Sequence, residues 1–247
     1  MEQLEPYVIG LDMGTTRCKA VALTLAGRVV ASAARGYGLH LPRPGWVEQR
    51  PDDVWQGVVK TLRALATQCE PRAARALCLS GAMHSLLPLD AKGIPLAPAT
   101  TWADQRATSL LADLRAQTDT HALYQRTGCP LQASYHPARL RWYQAQAAPH
   151  ATRYVALKDW VLHQLSAEWA TDIGLASTSG LLDIQRLRWD EEALALAAIR
   201  AEQLPALVMP QTIVGGLTAE AASAVGWPLA LPVVAGTSDG GLANLGA

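Results

Sequence analysis

A strand–turn–strand segment near the N-terminus, Tyr7–Lys19, constrains the fold of this chain more than any other feature. An apolar run predicts a buried strand that ends at Asp12, and Gly14 allows a tight turn before a second strand begins. A carboxylate at a strand end suits a hydrated divalent cation, which prefers oxygen ligands. The N–H groups of a glycine turn, with the hydroxyls of Thr15 and Thr16, suit phosphate oxygens. The segment therefore predicts a site for Mg²⁺ and a nucleotide phosphate, with an ordinary hairpin as the alternative.

The length of 247 residues allows one large domain or two modest ones. Half of the residues are hydrophobic, so the chain can bury a substantial core. Lys and Arg number 21 and balance 21 Asp and Glu, so charge gives no reason to expect nucleic acid or a membrane as the partner. The four cysteines lack metal-ligand spacing, which favours reduced thiols. Neither a secretory signal nor an apolar run long enough for a bilayer is present, so we expect a soluble, cytoplasmic protein.

The order of the predicted elements favours an α/β fold with a mixed sheet, because short hairpins near the N-terminus are followed by helical crossovers. Beyond the first hairpin, buried strands are predicted at Ala76–Ser80, Leu86–Leu89 and Pro232–Ala235. The first predicted helix has Asp52 as its N-cap. The predicted helices are Asp52–Thr67, Asp104–Gln117, Thr120–Arg126, Pro137–Gln146, Lys158–Leu165 and a last one that Thr218 opens and Val225 ends.

A second glycine turn, Gly236–Gly241, repeats the pattern of the first: a strand end, glycine, a hydroxyl and one acid, Asp239. An acid at this place can accept a proton from a substrate hydroxyl. The alternative is that Asp239 is simply the N-cap of the helix that follows. Two strand-end acids in one chain favour phosphoryl transfer, which needs a positioned metal ion and a base more than covalent chemistry.

Six short segments occur in the order and with the spacing of one protein family. They are Gly10–Thr16, Trp46–Gln49, Ser80–His84, Trp102–Arg106, Lys158–Asp159 and Gly236–Asp239. On these segments the chain resembles the N-terminal lobe of an FGGY-type carbohydrate kinase, in the actin, Hsp70 and hexokinase-like superfamily. The resemblance implies an α/β, ribonuclease H-like lobe over residues 1–247, with a mixed sheet and helical insertions.

The resemblance also implies roles for the residues of the two turns. Asp239 takes the place of the general base that deprotonates the attacking sugar hydroxyl. Asp12 takes the place of the acid that organises Mg²⁺. Thr15 and Thr16, together with Arg17, would meet the phosphates of ATP.

The sugar pocket implied by the resemblance contains Met83 and His84, which would lie along the sugar, with Trp102, Asp104 and Arg106 near the same pocket. The residues themselves leave other readings open. His84 suits a structural histidine, and Trp102 suits a core position. Arg106 suits either the carboxylate of a sugar acid or an ion pair with Asp104.

The function that the resemblance implies is ATP-dependent phosphorylation of a small sugar or sugar acid. The segments Ser80–Ser85 and Thr101–Arg106 look most like those of gluconate kinases, with xylulose kinases next. The adenosine pocket of such kinases belongs largely to a second lobe, which we expect to be absent from this chain, so the isolated lobe is expected to be inactive. The alternatives are a non-catalytic sugar-binding module and an ATPase of the actin or Hsp70 type.

Two positions depart from the pattern of the family. His136 stands where the family signature prefers Ser, Thr or Pro, and Arg139 stands where it prefers Lys.

For Lys158 and Asp159, the sequence indicates a capping and dipole role of Asp159 at a helix start, with proximity to substrate as the second reading. The expected partner is a small sugar or sugar acid, and a homodimer is one option for the oligomeric state, which the sequence leaves open.

Overall fold

The computed structural model describes residues 5–246, so both ends of the predicted 1–247 lobe lie outside the described range. The strands are β1 (Tyr7–Met13), β2 (Arg17–Thr24), β3 (Val29–Gly36), β4 (Glu48–Gln49), β5 (Ala74–Gly81), β6 (Leu87–Leu89), β7 (Ala99–Thr100), β8 (Arg153–Val155), β9 (Ala170–Asp172), β10 (Leu182–Asp183), β11 (Arg188–Trp189), β12 (Ala206–Val208), β13 (Ile213–Gly216) and β14 (Pro232–Ser238). The α-helices are α1 (Pro51–Ala66), α2 (Leu111–Ala116), α3 (Thr120–Thr127), α4 (His136–Gln146), α5 (Leu157–Ser166), α6 (Ile173–Ser177), α7 (Glu191–Ala197), α8 (Ala219–Val225) and α9 (Asp239–Leu245). Short 3₁₀ helices lie at Pro71–Ala73, Arg106–Leu110 and Ala201–Gln203.

The central sheet has six strands in the order β13-β14-β5-β1-β2-β3 and is mixed. Strands β1, β2 and β3 form antiparallel hairpins, and β13 is antiparallel to β14, whereas β1, β5 and β14 run parallel. In the parallel part, Gly81 pairs with Met13 on one side and with Ser238 on the other. The carboxyl ends of β1, β5 and β14 therefore meet at one edge of the sheet, which is where open α/β sheets bind their ligands.

The main core lies between this sheet and the helices α1, α5 and α8. Strand β1 alternates, with every second side chain buried, as a strand with one covered face should. Helix α1 presents an apolar stripe at helical spacing, formed by Val54, Val58, Leu62 and Leu65, which are at most 1% exposed. Full burial of each such side chain contributes about 1.5–3 kcal/mol, so this stripe holds α1 against the sheet.

A second core belongs to the helical region that follows β7. Helix α4 packs against α7 and against the 3₁₀ helix Arg106–Leu110, and Leu140 and Tyr143 of α4 are fully buried there. The expected helical insertion in the lobe is therefore present as a packed unit with its own apolar cluster. No helix within residues 5–246 has the length and apolar character needed to cross a bilayer.

Two predicted helix starts differ from the structure. Helix α1 begins at Pro51 after Arg50, so Asp52 lies in the first turn and is not the N-cap. Proline suits the first helical position because its fixed φ is already helical and its missing N–H has no partner to lose. The predicted helix Asp104–Gln117 is split into a 3₁₀ helix and α2, because the carboxylate of Asp104 accepts from the N–H of Arg106 and holds that segment in a turn.

Candidate functional site

Three polar side chains lie side by side at the carboxyl edge of the central sheet. Ser80 on β5 pairs in register with Asp12 on β1 and with Thr237 on β14. The hydroxyl of Ser80 donates to Oδ1 of Asp12 at 2.9 Å, which fixes the orientation of this half-buried carboxylate. The two strand-end acids predicted from the sequence thus belong to neighbouring parts of one edge, with Ser80 between β1 and β14.

The first glycine turn does close a hairpin, as the alternative reading required. The N–H of Gly14 donates to the carbonyl of Arg17 at 3.0 Å, and the hydroxyl of Tyr37 donates to the carbonyl of Gly14 at 2.6 Å. The turn nevertheless leaves Thr16 and Arg17 exposed and Thr15 half-buried at the edge of the sheet. The hydroxyl of Thr16 and the cation of Arg17 are therefore presented to solvent on a braced turn, whereas the N–H of Gly14 is already bonded within the turn.

Trp102 is not a core residue, since it is 54% exposed. Its indole Nε1 donates to the hydroxyl of Thr15 at 3.3 Å, so the loop that carries Trp102 reaches the first glycine turn. This contact joins residues 87 positions apart in the sequence. It places an exposed aromatic face beside the hydroxyls that the sequence predicted for phosphate.

Arg106 forms the ion pair that the sequence left open as an alternative to a sugar carboxylate. Its guanidinium, with a side chain 3% exposed, lies 2.7 Å from Oδ2 of Asp104 and 2.7 Å from Oε1 of Glu48. It also stacks on the ring of Trp46, with 4.0 Å to the ring centroid, and packs over Trp142 at 4.8 Å. Glu48 is a residue of this site that the sequence did not predict, because its partner Arg106 lies 58 positions away. Asp104, Arg106 and Glu48 therefore form a buried ion-pair network, and the first two belong to the loop that carries Trp102.

Met83 and His84 lie next to the second glycine turn. A Cβ built on Gly240 would be 3.1 Å from the methyl carbon of Met83, so the two segments are in close contact. His84 is half-buried, has a positive φ of 61°, and meets the ring of Tyr135 edge-on at 5.0 Å. The guanidinium of Arg139 donates to the backbone carbonyl of His84 and thereby supports this uncommon conformation.

The surroundings of His84 favour the neutral form of its imidazole. Burial lowers its pKa, and the positive charge of Arg139 lowers it further, while a hydrogen bond with the backbone of Thr178 and the charge of Asp239 act in the opposite direction. Within residues 5–246 its buried Nδ1 has no hydrogen-bond partner. A neutral imidazole can both donate and accept a hydrogen bond, which suits a sugar hydroxyl. His84 is therefore not the fully satisfied structural histidine of the alternative reading.

Asp239 is the first residue of α9 and is not its N-cap. The cap is Ser238, whose hydroxyl accepts from the N–H of Gly241 at 3.2 Å. The carboxylate of Asp239 accepts from the N–H of Gly240 at 2.8 Å and is half-buried. The capping alternative is wrong because serine fills that position one residue earlier, which leaves the carboxylate of Asp239 at the edge of the sheet.

Asp159 does not cap α5 either, since the N-cap is Ala156 and makes no side-chain cap. Its carboxylate lies instead 3.2 Å from the ammonium group of Lys158, and both side chains are buried. Burial raises the pKa of Asp159 to about 6, against the opposing effect of Lys158. Neither partner was predicted to be an internal charge, because the sequence pattern resembles an ordinary helix start.

His136, one of the two departures from the family pattern, gives a testable pH dependence. Burial, and next the charge of Arg139, lower its pKa well below the usual value, so the folded chain keeps the ring neutral. The unfolded chain binds a proton below about pH 6.5, and stability must therefore fall as the pH drops through that value. We expect His136→Gln to reduce the slope of the free energy of unfolding between pH 6 and 5 by about 1 kcal/mol per pH unit.

Urea unfolding at a series of pH values measures this slope. The matched control is His150→Gln, which removes an exposed histidine and should leave the slope of the wild type unchanged. Equal slopes for the wild type and His136→Gln would show that His136 binds its proton equally well in both states.

Comparison with protein families gives a match over almost the whole chain. A model described as the N-terminal domain of the FGGY family of carbohydrate kinases matches residues 7–246. Gluconokinase of Bacillus subtilis (strain 168) is 34% identical over 243 residues, covering 97% of this chain and 47% of that protein. Xylulose kinase of Escherichia coli (strain K12) is 30% identical over 243 residues, covering 96% of this chain and 49% of that protein. The chain thus spans about half the length of the curated relatives it matches.

Solved structures give the same picture. Gluconate kinase from Lactobacillus acidophilus superposes with a TM-score of 0.90 at 28% identity, over 96% of this chain and 49% of that one. Ligand-bound xylulose kinase from Lactobacillus acidophilus superposes with a TM-score of 0.92 at 28% identity, over 98% of this chain and 50% of that one. These neighbours have the actin/hexokinase-like fold, and the predicted α/β class with a mixed sheet is confirmed.

Proposed function

The chain belongs to the FGGY family of carbohydrate kinases. From this premise we propose that it is the sugar-binding lobe of an ATP-dependent kinase that phosphorylates a small sugar or sugar acid, with D-gluconate as the preferred candidate. One observation carries the proposal. The carboxylates of Asp12 and Asp239 stand at the carboxyl ends of parallel strands in one sheet, with Ser80 between those strands. Met83 packs beside the turn that holds Asp239, so a sugar lying along Met83 would reach its carboxylate.

The chemistry that we assign to Asp239 is general-base catalysis. As the sugar hydroxyl attacks the γ-phosphorus of ATP, its proton passes to the carboxylate of Asp239. The bond between the γ-phosphorus and the bridging oxygen breaks, and ADP leaves with that oxygen. Such an in-line transfer asks the protein for position and charge rather than a covalent intermediate.

The phosphate side of the site is formed in this proposal by Thr15, Thr16 and Arg17, with Asp12 as the acid that holds Mg²⁺. Within residues 5–246 no group of three or more His, Cys, Asp or Glu side chains is arranged to hold a metal ion. The single carboxylate of Asp12 fits Mg²⁺, which is usually held by one or two carboxylates and keeps several waters. When bound, the ion would offset the negative charge of the phosphates.

The sugar side is formed by Met83, His84 and the exposed face of Trp102. The neutral imidazole supplies a donor and an acceptor, and the indole supplies an apolar surface, which is the usual mixture in a small-molecule site. Asp104 and Arg106 belong to the same loop as Trp102, and direct contact of Arg106 with a sugar carboxylate stays a prediction. The cytoplasmic location and the homodimer also stay predictions.

Calorimetric titration of the 247-residue chain with D-gluconate, and with D-xylulose in parallel, tests the proposal. We expect saturable binding of gluconate that is at least tenfold tighter than that of xylulose. The double variant Met83→Ala/His84→Ala should weaken gluconate binding at least tenfold, because it removes the side chains along the sugar. If the chain alone binds neither compound, the titration is repeated on the two-lobe protein, meaning this chain followed by the C-terminal lobe that full-length FGGY kinases carry.

Xylulose phosphorylation is the second candidate, favoured by the superposition on ligand-bound xylulose kinase. Tighter binding of xylulose than of gluconate would select it. Sugar binding that is unaffected by the double variant would favour an ATPase of the actin or Hsp70 type. Sugar binding without turnover in the two-lobe protein would favour a non-catalytic sugar-binding module.

A further inference from the structure

A fully buried ammonium group lies behind the second glycine turn. The side chain of Lys158 on α5 is 0% exposed, and its Nζ lies 3.2 Å from Oδ1 of Asp159 and 3.2 Å from Oδ2 of Asp172. The same Nζ donates to the carbonyl of Ala235 on β14 at 2.9 Å. The carbonyl of Ala235 thus accepts a hydrogen bond from the ammonium, and the two carboxylates balance its charge at ion-pair distance, as a buried cation requires.

Asp172 extends this contact to a second point on β14. Its Oδ1 accepts from the hydroxyl of Thr237 at 2.6 Å and from the N–H of Leu175 at 2.9 Å, where it caps α6. Helix α6 approaches closely, because a Cβ built on Gly174 would overlap the hydroxyl of Thr237. We call Lys158, Asp159, Asp172 and Thr237 the Lys158 cluster.

The carbonyl of Ala235 and the hydroxyl of Thr237, which both take part in the Lys158 cluster, lie on either side of a bend in β14. Gly236 has a φ of +64°, and the pairing of β14 with β5 is irregular between Val234 and Thr237. Asp239 follows two residues after Thr237. The cluster therefore holds the backbone carbonyl of Ala235 before the bend and the side chain of Thr237 after it, and both contacts restrain the direction in which the chain continues toward Asp239.

We propose that the Lys158 cluster positions Asp239 for phosphoryl transfer. Thr237 and Lys158 are the positioning residues, and they act through the hydroxyl and the ammonium group. The proposal rests on the proposed function, in which Asp239 is the base. A buried ion cluster usually adds little net stability compared with apolar packing of the same volume. The effect that we assign to this cluster is therefore orientation. A misplacement of a catalytic group by about 1 Å can cost about 10²-fold in rate.

The test uses Thr237→Val, which removes the hydroxyl and keeps the branched shape. Lys158→Met would leave two buried carboxylates without a cation and is unsuitable, because the chain could fail to fold. Thr237→Ser restores the hydroxyl and serves as the rescue. Thr127→Val is the matched control, since it removes another buried hydroxyl, in the helical region, where the Thr127 hydroxyl donates to the carbonyl of Leu123.

Hydrogen exchange of the 247-residue chain, followed by mass spectrometry, is the first measurement. We expect Thr237→Val to raise exchange at least tenfold in the segment 236–241, with β1 and β2 unchanged. Thr237→Ser and Thr127→Val should both stay within threefold of the wild type there. Unchanged exchange in Thr237→Val, or an equal increase in β1 and β2, would overturn the proposal.

Steady-state kinetics of the two-lobe protein with D-gluconate is the second measurement. We expect kcat of Thr237→Val to fall at least tenfold with KM within about twofold, and Thr237→Ser to recover kcat. An unchanged kcat in Thr237→Val, with an active wild type, would refute positioning and leave the proposed function intact. A wild type that phosphorylates no sugar would refute the proposed function, and hydrogen exchange alone would then decide whether the cluster orients Asp239.

Discussion

Asp239→Asn is expected to abolish phosphoryl transfer in the two-lobe protein while sugar binding survives. The amide has the same shape as the carboxylate and can still accept from the N–H of Gly240, so the turn should keep its geometry. It cannot take the proton of the attacking hydroxyl. General-base catalysis contributes about 10²–10⁴-fold, and we therefore expect kcat to fall by about 10³-fold. The helix should stay capped, because the cap is Ser238 and is untouched.

Steady-state kinetics gives kcat, and calorimetric titration gives the affinity for D-gluconate. The control is Asp113→Asn, which removes an exposed carboxylate on α2 and should leave both quantities unchanged. Turnover retained in Asp239→Asn would remove Asp239 from the role of the base. Loss of sugar binding together with turnover would indicate that the substitution disturbs the pocket.

Gly236→Ala is expected to destabilise the fold by about 3–5 kcal/mol, near the upper end for a single substitution. The residue has a φ of +64°, which alone costs about 1–2 kcal/mol for a residue with a Cβ. The added methyl group would also overlap the backbone carbonyl of Leu79 in β5. Since β5 is a central strand of the sheet, it cannot move aside without breaking its pairing with β1.

The matched control for this prediction is Gly27→Ala. Gly27 also has a positive φ, of 79°, but an added Cβ would meet no atom within 4 Å. Its substitution should cost only the conformational part, about 1–2 kcal/mol. Urea unfolding of the two variants gives the difference between them. Equal losses of free energy would mean that β14 and β5 can separate at Gly236 without penalty.

The parts of the fold that depend on local pattern were predictable. The hairpin β1-β2 follows from alternating apolar residues around a glycine turn, and Thr218 caps α8 as expected. The split of the predicted helix Asp104–Gln117 was not predictable. It depends on the buried carboxylate of Asp104, which accepts from the N–H of Val47, 57 positions away, so the two segments meet only in the folded chain.

For the candidate site, the sequence by itself determined which two acids are candidates and what their local settings are. Asp12 lies near the end of β1, just before the first glycine turn, and Asp239 follows β14 within the second. Such turns are set by residues within a few positions of one another. The tertiary structure decided how those groups are held. Thr237 reaches Asp172 across 65 positions and Lys158 reaches Ala235 across 77. The partner of a buried charge is chosen by which distant segments pack together, and no local period of the sequence encodes that choice.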